Sequence, residues 1–415
     1  MRKGWKEVRL GTVCNITGGG TPSKKKSEYY SGSIPWATVR DMNTDLISRT
    51  NLAVTEAAVA ESATNVIPGG NVVIATRVGL GKVCLLAEDT AINQDLRGIV
   101  PKRDRLVIPR YLFYWFRSIA SQVVSAGKGM TVQGVTGDFV KALLLPLPPL
   151  PEQERIVALL DEAFAAIATA TAHAEQNLAN AKELFESYCA KVLNGSENST
   201  QTILGDEIDL LAGVAFKSKQ YTDDENGIRL LRGDNIIQGG FRWEGVKKWP
   251  ADDISAYSEF ELSAHDVVLA MDRPWVAAGL KRAYVFEKDL PCLLVQRVAR
   301  LRCRPNLDSR FLFHLIGSRS FIKYILGTQT GIGVPHISGR QILNFSFVKP
   351  SVEYQNKIAK EIDSFKERIR SLTSLLKSRL SEYTEVKRSF FQKAFTGELT
   401  ADQQTADRTL AEAGV

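Results

Sequence analysis

Basic, amide and small polar side chains recur in turn-like stretches of this 415-residue chain. Such side chains donate hydrogen bonds to phosphate oxygens, and Arg, Asn and Gln also reach the edges of bases. One stretch alone is typical of any solvated surface loop. Their recurrence at equivalent places in both halves of the chain favours a surface that faces a nucleic acid. The candidate DNA-binding residues are Thr21, Ser23, Lys24, Lys25, Lys26, Arg40, Asn43, Arg77, Lys82, Gln94, Lys128, Thr131, Gln133, Lys217, Lys219, Arg232, Asn235, Arg273, Trp275, Lys281, Arg282, Gln296, Arg297, Gln329 and His336.

Motifs for phosphate or methyl-group chemistry are not matched. The nearest stretch to a P-loop, Gly79 to Val83, has neither its spacing nor the hydroxyl that holds magnesium. Gly18 to Gly20 do not form G-x-G-x-x-G, and neither H-E-x-x-H nor G-x-S-x-G occurs. The tetrapeptide [DNS]-P-P-[YFW], with which amino-methyltransferases hold a flipped base, does not occur either. We therefore expect no catalytic residue, cofactor or metal on this chain.

Residues that could bind a metal are scattered. The four histidines are not clustered, and we expect His173, on a polar helix face, and His314, in an apolar helical run, to be structural. The five cysteines are odd in number and never spaced C-x-x-C, so we expect reduced, structural thiols. Paired carboxylates at 223–224 and 252–253 lie in polar stretches typical of turns.

The distribution of charge agrees weakly with contacts to phosphate. The formal net charge is +7, and residues 1–150 carry +8 and residues 202–349 carry +3. The segment 151–195 carries −4, whereas 350–397 carries +4. The excess in the globular segments suits a polyanionic partner, although many basic proteins bind no nucleic acid. The N-terminus does not resemble a signal peptide and no apolar run approaches the ~20 residues of a membrane span, so we expect a cytoplasmic protein.

An internal repeat organises the chain. Val135-Thr-Gly137 matches Ile337-Ser-Gly339, and Gln153 matches Gln355, each pair 202 residues apart. Each half is a globular segment of about 150 residues followed by a helical segment, and the globular halves carry short strand-like runs between Gly-, Asn- and Asp-rich turns. We predict a domain at 1–149, a helix at 150–195, a linker at 196–201, a domain at 202–349, a helix at 350–397 and a tail at 398–415.

Both helical segments carry an apolar stripe in steps of three and four residues. Each follows a proline-rich stretch and ends at Gly195 or Gly397, a residue type expected just after a helix. A helix of about 42 residues is ~60 Å long and needs a partner of equal length. The first stripe is rich in Ala and the second in Leu, Ile and Phe, so each helix is the natural partner of the other. The first stripe comprises Ile156, Leu160, Ala163, Ile167, Ala170, Ala174, Leu178, Ala181, Phe185, Tyr188 and Val192, and the second lies 202 positions later and is apolar except at Lys387.

This layout resembles the specificity subunits of Type I restriction-modification systems over essentially the whole chain. The similar stretches are Leu147 to Glu154, Leu380 to Leu399 with its FFQKAFTGEL run, Gly18 to Pro22 with Ile34-Pro-Trp36, and Gly331 to Ser338. The resemblance implies an α+β fold with two similar target recognition domains separated by two long helices. These helices pack as an antiparallel coiled coil, giving a pseudo-twofold repeat. The second half lacks Ile-Pro-Trp, so the two domains should read different sequences.

The resemblance also implies a function and a set of partners. Each domain would read one half of a bipartite, asymmetric site in double-stranded DNA, and the helices would fix the spacing of the halves. Two modification subunits would bind S-adenosylmethionine and methylate adenine, and restriction subunits would use ATP and magnesium, so these cofactors belong to partners. The alternative is a fused or stand-alone DNA methyltransferase or nuclease with an unrecognised motif. A coiled-coil scaffold without a DNA function is a third possibility.

Overall fold

A computed structural model describes residues 4–103, 105–127, 134–194, 199–276, 279–328 and 336–401. The described chain forms two compact units. Unit 1 lies within Met1–Ala174 and Ser378–Val415, and unit 2 comprises Glu175–Lys377. Each unit therefore holds one globular domain, the first part of the helix that follows it and the last part of the other long helix.

The first unit contains eleven described strands and six helices, the last of which continues beyond it. Two further short segments, Ser27–Tyr30 and Val39–Asp41, are 3-10 helices. The strands are β1 (Lys6–Arg9), β2 (Cys14–Gly18), β3 (Ile34–Ala37), β4 (Leu46–Ile47), β5 (Leu52–Val54), β6 (Asn65–Ile67), β7 (Val72–Ala75), β8 (Val83–Leu86), β9 (Thr90–Ile92), β10 (Leu96–Pro101) and β11 (Leu144–Leu147), and the helices are α1 (Leu10–Val13), α2 (Glu56–Ala60), α3 (Pro109–Ser118), α4 (Ala120–Ser125), α5 (Gly137–Ala142) and α6 (Leu150–Leu193).

The second unit follows a similar order and has additional short strands. Its 3-10 segments are Ser218–Gln220, Ala251–Phe260 and Glu287–Asp289. Its strands are β12 (Thr200–Ile203), β13 (Ile208–Ala212), β14 (Ile228–Leu231), β15 (Ile236–Ile237), β16 (Gly240–Phe241), β17 (Lys248–Trp249), β18 (Val267–Ala270), β19 (Trp275–Val276), β20 (Gly279–Leu280), β21 (Arg282–Tyr284), β22 (Cys292–Leu294), β23 (Val298–Cys303) and β24 (Ser346–Lys349), and its helices are α7 (Leu204–Glu207), α8 (Ser309–Leu315), α9 (Arg319–Thr328), α10 (Gly339–Leu343) and α11 (Val352–Thr396).

The sheets of the two units share a common set of central strands. Unit 1 has a sheet in the order β2-β10-β7-β8-β4, and unit 2 has β13-β23-β18-β21. The pair β1-β11 corresponds to β12-β24, and the parallel pair β3-β9 corresponds to β14-β22. Strands β7 and β18 are buried along their whole length, which explains their unbroken apolar sequences. The repeat is thus confirmed in three dimensions. Strand β12 begins at Thr200, inside the predicted linker, because its backbone pairs with β24.

In each unit the two helical segments run antiparallel and pack through aromatic side chains. In unit 1, the ring of Phe164 on α6 lies 4.9 Å from that of Phe391 on α11. In unit 2, the ring of Tyr188 on α6 lies 4.6 Å from that of Phe365 on α11. The α+β fold with paired long helices is therefore confirmed.

The apolar stripes are buried or half-buried at every position except one. Leu372 is 42% exposed, because the step of four from Ile369 places Thr373 on the inner face instead. Helix α11 ends at Thr396, and Gly397 has φ +86°, as expected after a helix C-terminus. Helix α6 ends at Leu193, and the predicted end at Gly195 lies outside the described residues.

By length and composition alone, α6 is apolar enough to cross a membrane, with a mean hydropathy of 1.4 over its most apolar 18 residues. The expectation that nothing in the chain approaches a membrane span is therefore too strong. Its first turns nonetheless belong to the core of unit 1, where Ile156 and Leu160 are fully buried. Asp161 accepts a hydrogen bond of 2.8 Å from Arg110 Nε and another from the Tyr114 hydroxyl, both on α3. A core helix of a folded domain can have the same length and mean hydropathy as a membrane-spanning helix.

Candidate nucleic-acid interface

A cleft of about 880 Å³ in unit 1 brings together several of the predicted contact residues. Its walls come from the loop after β2, the segment after β3 and the turn between β9 and β10. Thr21, Lys24, Arg40 and Gln94 line it together with the largely buried ring of Trp36. Cationic and amide groups thus lie around the apolar ring of Trp36, a combination that suits contact with a nucleic acid.

The loop after β2 is held in place by close backbone packing. A Cβ atom on Gly19 would lie 2.2 Å from the carbonyl oxygens of Ile92 and Asn93, so only glycine fits there. The Gly20 N–H donates to the Ile92 carbonyl at 3.0 Å, and the Gly20 carbonyl accepts from the Thr64 hydroxyl at 2.7 Å. These contacts set Thr21 beside Gln94, whose side chains hydrogen-bond to each other. The glycine run therefore serves packing.

The basic residues around this cleft differ in their partners. Lys24 and Lys25 are exposed, as is Ser23. Lys26 lies 2.9 Å from Glu61 and also donates to Tyr29, and these hydrogen bonds raise the pKa of Lys26. Lys82 Nζ donates to the Met42 carbonyl at 3.2 Å, and Asn43 Nδ2 donates to the Arg40 carbonyl at 2.6 Å. Lys26, Lys82 and Asn43 thus have structural contacts of their own.

Unit 2 presents a corresponding set of loop residues. Lys217, Lys219, Arg232 and Gln296 are exposed, and Arg232 lies 3.5 Å from Asp234. Arg273 follows β18 with φ +45°, Lys281 Nζ donates to the Gly233 carbonyl at 3.3 Å, and Trp275 is half-buried in β19. Lys128, Thr131, Gln133 and Gln329 lie outside the described residues.

One arginine in each unit is paired with a carboxylate beside these loops. Arg77 lies 3.5 Å from Asp95 in unit 1, and Arg297 lies 3.0 Å from Asp272 in unit 2. His336 also hydrogen-bonds to Asp272. Neither aspartate is among the residues predicted from the sequence, although each is adjacent to a predicted contact, Gln94 or Arg273.

Two of the predicted DNA contacts, Arg282 and Asn235, have side chains that make contacts inside unit 2, where Arg282 is half-buried and Asn235 is buried. The guanidinium of Arg282 lies 4.1 Å from the Phe313 ring centroid and donates to the Phe313 carbonyl. Burial lowers the pKa of Arg282 to about 10. A Cβ atom on Gly317 would lie 1.9 Å from this guanidinium, so the packing is close. Asn235 is buried and closes a turn by accepting from the Arg232 N–H at 3.1 Å.

The potential metal ligands have structural surroundings. Within the residues that the structure describes, no three His, Cys, Asp or Glu side chains are grouped to hold a metal. All five cysteines are free thiols, and burial raises the pKa of Cys14, Cys84, Cys292 and Cys303 to about 12 and that of Cys189 to about 11. All five are buried or half-buried, as a structural role requires. The buried His314 hydrogen-bonds through Nε2 to Asp363 at 3.0 Å.

Comparisons with known proteins agree with this architecture. Residues 2–178 match the family described as Type I restriction modification DNA specificity domain. The chain is 24% identical to the Type I restriction enzyme MjaVIII specificity subunit of Methanocaldococcus jannaschii, over 93% of this chain and 90% of that one. It is 36% identical to the EcoAI specificity subunit of Escherichia coli, over 42% of this chain and 29% of that one.

Two solved structures share the fold. One is described as the structural basis of complex assembly and conformational transition of the type I R-M system, with a TM-score of 0.76, 19% identity and coverage of 96% of this chain and 99% of that chain. The other is the HsdS subunit from Thermoanaerobacter tengcongensis, with a TM-score of 0.62, 21% identity and coverage of 96% and 98%. Residues 2–178 thus match the Type I restriction modification DNA specificity domain, and nearly the whole chain is similar to a Type I restriction enzyme specificity subunit.

Proposed function

We propose that this chain is the DNA sequence-specificity subunit of a Type I restriction-modification enzyme. Each globular domain reads one half of a bipartite, asymmetric site in double-stranded DNA. The observation that carries this proposal is the duplicated fold, which places different polar side chains at equivalent positions of the two domains. Duplicated surfaces with different side chains are what recognition of two unlike half-sites requires.

The first domain supplies the most detailed example. Its cleft holds Thr21, Lys24, Arg40 and Gln94 over Trp36, whereas Leu230 of β14 occupies the place of Trp36 in the second domain. A large aromatic floor in one domain and a smaller apolar residue in the other produce surfaces of different shape. The two half-sites therefore differ in sequence.

The long helices have a separate role in this proposal. They set the distance between the two half-sites, and they bind two modification subunits, which carry S-adenosylmethionine and methylate adenine. Restriction subunits that use ATP and magnesium complete the enzyme. This chain itself is non-catalytic, holds no cofactor and acts in the cytoplasm.

The proposal is tested by mapping methylated adenines across the genome of a strain that expresses this chain with the modification subunits of its system. A matched strain lacks only this chain. We expect methylation at one bipartite motif in the first strain and its loss in the second. Methylation of the same motif in both strains would contradict the proposal. Methylation or cleavage of DNA by the purified chain alone would instead support the alternative of an enzyme with an unrecognised motif.

A further inference from the structure

The two ion pairs Arg77–Asp95 and Asp272–Arg297 occupy the same place in the two units with their charges exchanged. Position 77 follows β7 and position 272 follows β18, the corresponding strand. Position 95 precedes β10 and position 297 precedes β23, again corresponding strands. Unit 1 therefore has arginine after the first strand and aspartate before the second, and unit 2 has the reverse.

Backbone hydrogen bonds establish this equivalence. In unit 1 the Thr76 N–H donates to the Asp95 carbonyl at 2.8 Å, and in unit 2 the Met271 N–H donates to the Arg297 carbonyl at 2.8 Å. The residues before α5 and α10 are held in the same way. The Val135 N–H donates to the Thr76 carbonyl and the Ile337 N–H donates to the Met271 carbonyl, both at 2.8 Å. The backbone hydrogen bonds are thus the same in the two units, and only the positions of the arginine and the aspartate are exchanged.

In both pairs the arginine is the member that faces solvent. The side chains of Arg77 and Arg297 are 52% and 69% exposed, whereas those of Asp95 and Asp272 are 16% and 23% exposed. A less exposed carboxylate that pairs with a guanidinium limits the conformations of the arginine side chain. The remaining N–H donors of the planar guanidinium can then point towards solvent. A guanidinium held in this way loses less conformational entropy when it binds.

These arginines lie beside groups already assigned to the interface. Asp95 lines the cleft of the first domain, next to Gln94, and Gln296 precedes Arg297 at the corresponding place in the second domain. Arginine that donates two hydrogen bonds to guanine O6 and N7 is the commonest specific contact between a side chain and a base. A solvent-facing guanidinium that pairs with a carboxylate is suited to that contact, and in each unit a glutamine is adjacent in sequence to one member of the pair.

We propose that Arg77 and Arg297 are specificity-determining residues, each reading a guanine in the half-site of its own domain. This inference rests on the proposed function and assigns particular bases to particular side chains. Because the charges are exchanged, the arginine follows the first strand of the pair in one domain and precedes the second strand in the other. The two guanines therefore lie at different positions relative to their domains, which makes the whole site asymmetric even though the fold is repeated.

The test uses the complete methyltransferase, assembled from this chain and its modification subunits, and compares motifs from genome-wide maps of methylated adenine. The variants are Arg77→Gln and Arg297→Gln, because glutamine pairs with adenine as arginine pairs with guanine. We expect Arg77→Gln to lower the preference for guanine at one position of one half-site by about 10- to 100-fold and to shift it towards adenine. Arg297→Gln should do the same in the other half-site only, so each variant is the control of the other.

Arg304→Gln is a further control at the other end of β23. Arg304 follows this strand, lies 3.0 Å from Asp209 and is 48% exposed, so it is another solvent-facing arginine paired with an aspartate. We expect its motif to match that of the wild type. The melting temperature of each purified chain separates a folding defect from a change of motif. Arg77→Ala and Arg297→Ala replace any glutamine variant that does not fold, and they should lose the preference for guanine without gaining one for adenine.

Three results would overturn the inference. One is an unchanged motif in folded, active variants at positions 77 and 297. Another is equal weakening at all sites with a shallower dependence on salt, which would show contacts to phosphate instead of bases. The third is a changed motif in Arg304→Gln that equals the change in Arg297→Gln. A wild-type enzyme that methylates no bipartite motif would contradict the proposed function itself, which is a different outcome.

Discussion

Gln153 and Gln355 make the same three hydrogen bonds in the two units. Gln153 Oε1 accepts from the Ile108 N–H at 2.9 Å, and Nε2 donates to the carbonyls of Leu106 and Pro148 at 3.2 and 2.9 Å. Gln355 Oε1 accepts from the Asp308 N–H at 2.8 Å, and Nε2 donates to Asn306 and Pro350 at 3.3 and 2.8 Å. Both side chains are completely buried. Each therefore fixes the start of a long helix to the globular domain that precedes it.

Replacing either glutamine should destabilise its unit. Gln153→Ala removes a partner from three backbone groups that are buried or half-buried, so we expect the free energy of unfolding to fall by about 2–4 kcal/mol. Gln355→Ala should have an effect of the same size, because its contacts are the same. Gln176→Ala is the matched control, since Gln176 is exposed and bonds only to Asn180 at 2.8 Å within the described part of the chain. Urea unfolding measures all three, and a decrease below ~0.5 kcal/mol for both buried positions would contradict this role.

Stability should fall as the pH drops below about 6.5, partly because of His314. Burial lowers the pKa of His314, although its hydrogen bond with Asp363 offsets part of that effect. Below 6.5 the unfolded chain takes up a proton that the folded chain does not, so the contribution of His314 is complete above this pH and declines below it. We expect His314→Tyr to reduce the slope of unfolding free energy against pH between about 6.5 and 5. Tyr114, at the equivalent place in unit 1, hydrogen-bonds to Asp161 in the same manner.

The control for His314 is His173→Gln, because His173 is exposed on α6. The pH dependence of this variant should match that of the wild type. An equal slope in His314→Tyr and the wild type would show that other groups dominate this pH range. Asp363 acts at lower pH, since hydrogen bonds from His314 and Arg310 outweigh its burial and lower its pKa.

Changing Arg282 should affect folding without altering the number of phosphate contacts. Arg282→Ala removes the packing against the Phe313 ring and leaves the Phe313 carbonyl without this donor, so we expect stability to fall by about 2–4 kcal/mol. In the folded fraction, the slope of log Kd against log salt concentration should equal that of the wild type. Lys219→Ala, at an exposed position of the 3-10 segment Ser218–Gln220, should leave stability within ~0.5 kcal/mol. A normal melting curve with a shallower salt slope for Arg282→Ala would instead show that this residue binds DNA.

Lys24 and Lys25 should contribute more to DNA binding than Lys26. Removing one lysine that binds a phosphate of duplex DNA reduces the log-log salt slope by ~0.9, so Lys24→Ala with Lys25→Ala should reduce it by up to ~1.8. Lys26→Ala should have a smaller effect, because Lys26 already pairs with Glu61. The comparison is Lys357→Ala with Lys377→Ala, two exposed helix positions. Equal slopes for the two double variants would show that Lys24 and Lys25 are ordinary solvated charges.

The sequence predicts the repeat and the long helices well because both depend on periodic patterns. The step of three and four residues from Ile156 to Val192 reflects burial along one helix face, which is a local property. The match of Gln153 to Gln355 likewise reflects an identical buried environment. In these cases a pattern in the sequence corresponds directly to a buried contact in the structure.

Individual side chains in the loops are predicted less well. Arg282 belongs to a basic pair, Lys281-Arg282, that looks exposed, but alternate residues of β21 face opposite sides and the arginine turns towards Phe313. The partnership of Arg77 with Asp95 depends on the antiparallel pairing of β7 with β10, which no local pattern reveals. Strand pairing thus decides which basic residues are exposed and how they are oriented.

If each globular domain reads its own half of a bipartite DNA site, exchanging one domain should change only that half. Residues 1–149 would be replaced by the corresponding domain of another member of the family, with the helices and the second domain unchanged. Methylated adenines would then be mapped across the genome in a strain that supplies the modification subunits. We predict a motif in which one half changes, while the other half and the spacing between them remain the same. A change in both halves, or in neither, with an active enzyme would contradict the account.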